Sequence, residues 1–349
     1  MGIHRARPST EILSGDSADV YFFRASRILE REGLDPVVTM EVFAREPGIL
    51  CGIDEAKNLL GHVLAPADPS EVMVEGLDDG DRFESKEIVL RIEARYRSFG
   101  LYETAILGML AQSTGWATAA RECVEVAAPQ PVIMFGARHV HPDITDVLDY
   151  AAIVGGCVGA STPAGARLAG LNPTGTMPHS LVLIFGDTVE AALAFDRDLA
   201  SDVPRIVLVD TFKDEAEEAL RVAHALGDRL YGIRLDTPVE RGRVTADLVT
   251  EVRARLDEEG FPHVRIVVSG GLTPERIRYF KDASAPVDSF AVGSYISGAQ
   301  PIDFTADIKE IDGRPIAKRG RIPGRTASPR LRPVDLTPWR TDSEPAGSD

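Results

Sequence analysis

Residues 175–180 read Gly-Thr-Met-Pro-His-Ser, directly before the apolar run 181–185. A glycine and a proline so close together suit a helix interior poorly, and a buried strand rarely carries a lone histidine. The stretch is therefore expected at a strand end or in a loop, where chemistry usually collects. By itself His179 fits a solvated turn equally well. What gives it weight is repetition, because similar polar punctuation follows the other apolar runs of the same half of the chain. Gly136, Ala137, Arg138 and His139 follow 132–135, and Gly159, Ala160, Ser161 and Thr162 follow 153–158. Asp210 and Thr211 follow 206–209, and Arg234 and Asp236 stand at the end of 231–235. Ser269, Gly270 and Gly271 follow 266–268, and Gly293 and Ser294 follow 290–292. Any one of these can be a helix cap.

Their chemistry is mixed in sign. Asp210 and Asp236 suit sugar hydroxyls or a hydrated Mg²⁺. Arg138 and Arg234 suit a phosphate or a carboxylate, or else pair with the aspartates. The Gly270-Gly271 and Gly293-Ser294 pairs expose backbone N–H groups near helix starts, which suits an anion. Both signs in one place point to a sugar phosphate with an anionic co-substrate rather than to simple hydrolysis.

Such loops need elements to hold them. Seven short apolar runs (132–135, 153–158, 181–185, 206–209, 231–235, 266–268 and 290–292) alternate with helical stretches such as 214–226 and 245–259. Alternation of this kind implies parallel strands joined by crossover helices. About seven strands favour a closed or nearly closed α/β barrel over an open doubly wound sheet, with the site on the loops at the strands' C-terminal ends. Before it, 36–100 is strand-rich with a short helix at 53–64 and reads as a small α+β domain, and 101–128 is helical. Near the N-terminus Tyr21, Phe22 and Phe23 are adjacent on a helix that Ser17 can cap, so one face of that helix cannot bury all three. The expected domains are 1–128, the barrel 129–300, a return to the first domain over 301–325, and a disordered tail over 326–349.

Composition narrows the classes. The 349 residues carry a formal charge of −16, which argues against nucleic-acid binding. Three cysteines without a Cys-x-x-Cys pair suggest neither zinc nor disulfides. With no secretory h-region and no apolar run of membrane-spanning length, the chain is expected in the cytoplasm, without a membrane partner.

In this order the motifs are specific. DVYFFRA at Tyr21, FGARHVHP at Arg138, GGCVGAS ending at Ser161, GTMPHS at His179, LVDTFKDE at Asp210, GIRLDTP at Asp236 and VSGGL at Gly270 resemble those of the nicotinate phosphoribosyltransferase family, of the compact archaeal and bacterial type. The resemblance runs from about Asp16 to about Arg325. It implies an incomplete, TIM-like α/β barrel with a small sandwich domain, and a homodimer with shared active sites. It implies transfer of phosphoribose from phosphoribosyl pyrophosphate to nicotinate with Mg²⁺, assisted by ATP through a phosphorylated His179. Asp210 and Asp236 join His179 as implied catalytic residues. The partner subunit's Tyr21 would stack with Phe135 around the pyridine. Arg138, Ser161, Thr176 and Arg234 would bind substrate, Ser161 because an uncharged residue there suits a carboxylate. Gly270, Gly271, Gly293 and Ser294 would cradle the 5′-phosphate. Lys318 and Arg319 of the Arg-rich segment 314–332 are assigned toward pyrophosphate, and no structural zinc is expected. Quinolinate phosphoribosyltransferase shares the architecture but needs a more basic pocket of Arg, Lys and His, an excess that the motifs do not display. Ser161 disfavours a nicotinamide-using relative. The joint presence of His179, Asp210 and Asp236 disfavours a non-catalytic nucleotide-binding protein on the same barrel.

Overall fold

The computed structural model describes residues 8–337. Its strands are β1 Val37–Ala44, β2 Gly48–Ile49, β3 Met73–Gly76, β4 Arg82–Phe83, β5 Ile88–Arg95, β6 Val132–Met134, β7 Gly159–Ala160, β8 Ile206–Leu208, β9 Gly232–Leu235, β10 Arg265–Val268, β11 Ser289–Val292, β12 Phe304–Ile311, β13 Arg314–Pro315 and β14 Arg332–Pro333. They fall into two units. Residues up to Thr118 and those from Gln300 on form one, and Ala119–Ala299 form the other, so the division falls inside the long helix Glu103–Ala127.

The first unit is built on a sheet of order β13-β12-β1-β5-β3-β14, antiparallel at each pairing, with β2 and β4 as a separate pair. The period of two decides its faces. Val38, Met40, Val42 and Ala44 of β1 join the apolar core with Leu59, Leu60, Leu90, Ile92 and Leu110. The alternate residues include Glu41, fully buried, which receives two hydrogen bonds from Arg91 at 2.8 and 2.9 Å. A buried carboxylate of this kind is tolerable only when paired. The Arg-rich segment supplies further cover on the same face. Thr326 donates its N–H to Glu41, Arg325 pairs with Glu93 and Glu310, and Arg321 pairs with Asp307 and lies over the Phe43 ring. Arg330 and Arg332 pair with Glu87 and Asp81 respectively. These arginines are occupied in neutralising an acidic sheet face. Lys318 stays mostly exposed, 3.8 Å from Asp307. Residues 326–337, expected to belong to a disordered tail, carry β14 against β3, and the remainder of that tail, 338–349, lies outside the described residues. Near the N-terminus Asp19, not Ser17, is the N-cap of the helix Val20–Arg31. Phe22 is buried there while Tyr21 and Phe23 are exposed.

The second unit is the incomplete α/β barrel: six parallel strands in the order β7-β6-β11-β10-β9-β8. In-register neighbours of a parallel pair share a face. Val132, Met134, Val207, Ile233, Leu235, Ile266, Val268, Phe290 and Val292 share one, and all are essentially inaccessible. The other face carries Ile206, Val267 and Ala291, which form a small cluster with Phe135 against it. Arg234 is on that second face, in register with Leu208 and Val267.

Two of the seven expected strands differ. Residues 153–154 end the helix Thr145–Val154, and the strand begins later, at Gly159. Residues 181–185 form no strand at all but belong to the helix His179–Phe185, with Pro178 at its N-cap and left-handed Gly186 (φ 78°) at its C-cap. A proline that presets the entry and a glycine that accepts the left-handed exit turn an apolar run into two helical turns. The sheet therefore stays open between β7 and β8, the edge strands that this segment connects.

Candidate functional site at the open end of the half-barrel

The strand period predicts what stands at the mouth. Continuing the concave face by one step beyond each strand end reaches Phe135 from β6, Ser161 from β7, Asp210 from β8, Asp236 from β9, Ser269 from β10 and Gly293 from β11. A cleft of about 640 Å³ is lined by five of these six, together with Arg138, His139, Thr176, His179, Arg234, Gly270, Gly271 and Ser294. That volume suits a small-molecule ligand.

The centre is charged. His179 Nε2 lies 3.6 Å from Asp210 Oδ2 and 3.5 Å from Asp236 Oδ2, and its Nδ1 is 3.2 Å from Thr211 Oγ1. Arg234 donates from Nε to Ser269 Oγ at 2.8 Å, from one terminal nitrogen to Thr176 Oγ1 at 3.1 Å, and from the other to Asp236 Oδ2 at 2.6 Å. Its guanidinium also lies over the Phe135 ring, 5.4 Å from the centroid. Ser269 Oγ donates to Asp236 Oδ1 at 2.7 Å.

These contacts set the ionisation. The hydrogen bond to Asp236 raises the His179 pKa against the opposing effect of burial, and the charges of Asp210 and Asp236 add to it. Burial pushes Asp236 upward, but bonds from His179, Arg234 and Ser269 overrule it and hold the group below the usual carboxylate range. Asp210 has fewer partners. Burial raises it to about 6 in spite of His179, and its Oδ1 meets no hydrogen-bond partner. Two carboxylates that approach the same imidazole nitrogen thus have divergent acidities, which is a common mark of a working site.

Glycine at 270 follows from the backbone. Its φ is +89°, and a Cβ would stand 3.2 Å from Asp236 Oδ1; Gly271, at φ +64°, would meet only the movable end of Arg243. Gly270→Ala is expected to cost about 1–2 kcal/mol, and Gly271→Ala less, as read from urea denaturation midpoints. Equal midpoints would contradict the crowding at Asp236.

Of the residues expected from the sequence, Phe135, Arg138, Ser161, Thr176, His179, Arg234, Asp236, Gly270, Gly271, Gly293 and Ser294 meet in this cleft. Asp210 stands behind His179. Tyr21 belongs to the other unit, with its ring against Phe22 and its hydroxyl donating to Asp19. His139, Ser269 and Thr211 join the site without having a role in the sequence motifs. Ser269 and Thr211 continue motifs already noted, and the strand phase identifies Ser269 directly.

Sequence models of the quinolinate phosphoribosyl transferase N-terminal and C-terminal domains match residues 19–114 and 116–307. The chain belongs to the quinolinate phosphoribosyltransferase family. A solved structure of nicotinate-nucleotide pyrophosphorylase from Pyrococcus furiosus is 42% identical, covers 93% of this chain and 82% of that one, and superposes with a TM-score of 0.84. The carboxylating nicotinate-nucleotide pyrophosphorylase of Mycobacterium leprae is 28% identical over 273 residues, 78% of this chain and 87% of that protein. Nicotinate phosphoribosyltransferase pncB1 of Mycobacterium tuberculosis is 29% identical over 316 residues, 80% of this chain and 69% of that protein.

These matches correct the expectation of an ATP-assisted nicotinate phosphoribosyltransferase: both domain models and the 42% identical structure bear the other name. The geometry supplies physical reasons. Arg138 with His139, His179 and Arg234 come from three separate motifs, so their excess of basic groups emerges only when the fold gathers them around one cleft. A phosphoryl group on His179 Nε2 would stand against two carboxylates, and one on Nδ1 would displace Thr211. Among the described residues, no group of three or more His, Cys, Asp and Glu is arranged to hold a metal ion, and no helix is long and apolar enough to cross a membrane.

Proposed function

We propose that the chain transfers phosphoribose from phosphoribosyl pyrophosphate to quinolinate, releasing pyrophosphate and CO₂ and forming nicotinate mononucleotide. The observation that carries this reading is the gathering of Arg138, His139 and His179 in one cleft with the Phe135 ring, in a chain of this family. A pyridine with two carboxylates needs an apolar platform and basic groups, and the cleft offers both.

In this reading the C1–O bond of the ribose breaks as the pyridine nitrogen forms the new C1–N bond. The electron pair of the departing oxygen leaves with pyrophosphate. Positive charge develops on the ribose, and Asp236, held ionised by its three donors, faces it. The bond to the C2 carboxylate then breaks, CO₂ leaves, and the carbon takes up a proton. Gly270, Gly271, Gly293 and Ser294 offer backbone N–H groups to the 5′-phosphate. Mg²⁺ accompanying phosphoribosyl pyrophosphate would neutralise the leaving group. A second copy of the chain would bring its exposed Tyr21 to the Phe135 ring, completing a shared site.

Purified protein supplied with phosphoribosyl pyrophosphate, Mg²⁺ and quinolinate is expected to release pyrophosphate and CO₂ in equal amounts, with no requirement for ATP. Consumption of nicotinate without consumption of quinolinate would overturn the reading.

A further inference from the structure

Arg234 looks at first like a clamp for a substrate anion, and its surroundings argue otherwise. A guanidinium binds phosphate or carboxylate through two parallel N–H groups on one edge. Here three of its five N–H groups already go to the protein, and the edge that includes Nε is among them: Nε donates to Ser269, one terminal nitrogen to Thr176, the other to Asp236. The face of the group is occupied too, by the Phe135 ring. Thr176 belongs to the segment that enters the helix His179–Phe185 and precedes Met177, which is fully buried. That segment connects the two edge strands of an open sheet and forms no strand of its own, and one backbone bond, Thr174 N–H to Ala160 O at 2.8 Å, ties it to β7. Its fixed points are the Thr176–Arg234 bond, the bond from Thr174 N–H to Ala160, the burial of Met177 and the contacts of His179 with Thr211, Asp210 and Asp236. Ser269 completes the set from the opposite side: it accepts from Arg234 and donates to Asp236 Oδ1, so that Asp236 is gripped on both oxygens.

We propose that Thr176, Arg234 and Ser269 form a latch rather than a ligand clamp: Arg234 ties the entrance of the His179 helix to β9 through Thr176, and Ser269 fixes the orientation of Asp236. All three are then positioning residues, and Arg138 is left as the guanidinium for substrate. The kinetic consequence rests on the reading of the cleft as a phosphoribosyl-transfer site, and the structural consequence does not.

Two measurements therefore accompany each variant. The first is hydrogen exchange of the segment 174–185 in the ligand-free protein. The second is the division of steady-state loss between kcat and KM. Thr176→Val keeps the shape of the side chain and removes the acceptor. It is expected to speed exchange of 179–185 by about tenfold or more. It is expected to lower kcat about tenfold while the KM for phosphoribosyl pyrophosphate stays within about twofold. Thr176→Ser keeps the acceptor and should restore both. Ser269→Ala should lower kcat likewise while leaving exchange of 179–185 as in the wild type. Exchange that does not change in Thr176→Val overturns the latch, whether or not any substrate is turned over. So does a rise in KM at unchanged kcat, which would return Thr176 and Arg234 to direct substrate binding.

Discussion

Asp210→Asn is expected to lower kcat by about 10²–10³-fold and, at the same time, to make the protein more stable at neutral pH. Both effects have one origin. The side chain is 2% exposed, Oδ1 has no partner, and burial raises the group to about 6. In the unfolded chain the same carboxyl ionises near 3.8. Between those two values the folded protein holds a proton that the unfolded chain has released. Stability from this group is therefore greatest below the lower value, falls as pH rises through the window, and carries its full penalty above about 6. The penalty at pH 7 is about 2–3 kcal/mol. Asparagine has no charge to desolvate and removes the penalty, but it cannot present to His179 the negative charge that helps raise the histidine's pKa. Urea denaturation in metal-free buffer between pH 4 and 7.5 should lose this increment in the wild type and keep it in the variant. A variant less stable than the wild type at pH 7 would mean that the His179 contact outweighs desolvation. Wild-type activity should also decline as pH drops through about 6, where Asp210 takes up its proton.

The same residue illustrates what the sequence carries. Asp210 is legible because its strand, Ile206–Leu208, is short, apolar and followed at once by polar residues. Parallel strands buried on both faces leave that pattern, and five of the expected strands appear with little change. The segment 181–185 misleads for a related reason. Leu-Val-Leu-Ile-Phe is strand-like in composition, and composition does not register that a proline and a glycine with seven residues between them permit only two helical turns. The exposure of Leu183, Ile184 and Phe185 is equally hidden, because apolarity predicts burial only on average. The site residues stand out as separate motifs, whereas their common face does not. Ser269 is visible after 266–268, but its place on the face of Arg234 follows only when the registers of β9 and β10 fix the phase. Substrate choice is the least legible property of all. It depends on how many cations converge, and Arg138, His139, His179 and Arg234 span nearly a hundred residues of chain.

Convergence makes Arg138 the second residue with a large expected effect. It stands on the turn Ala137–His139 after β6, exposed at the cleft, and makes no ion pair among the described residues. Arg234 carries the same charge in the same cleft, but three of its five N–H groups are committed to Thr176, Asp236 and Ser269. Arg138→Ala is therefore expected to raise the KM for quinolinate by about 10²-fold, the loss of a charge-assisted bidentate contact worth about 2–3 kcal/mol, with a smaller change in kcat. Arg138→Lys should recover only part, since an ammonium supplies charge without the planar fork. Salt gives an independent check. The chain carries a net charge of −16, so its long-range field repels a dianion, and local cations must overcome that field at the cleft. In the wild type, raising ionic strength from about 0.02 to 0.2 M weakens the local attraction and should raise KM. In Arg138→Ala the remaining long-range term is repulsive, so the same change should lower KM. If both proteins respond to salt in the same direction, Arg138 is not the group that captures the carboxylates.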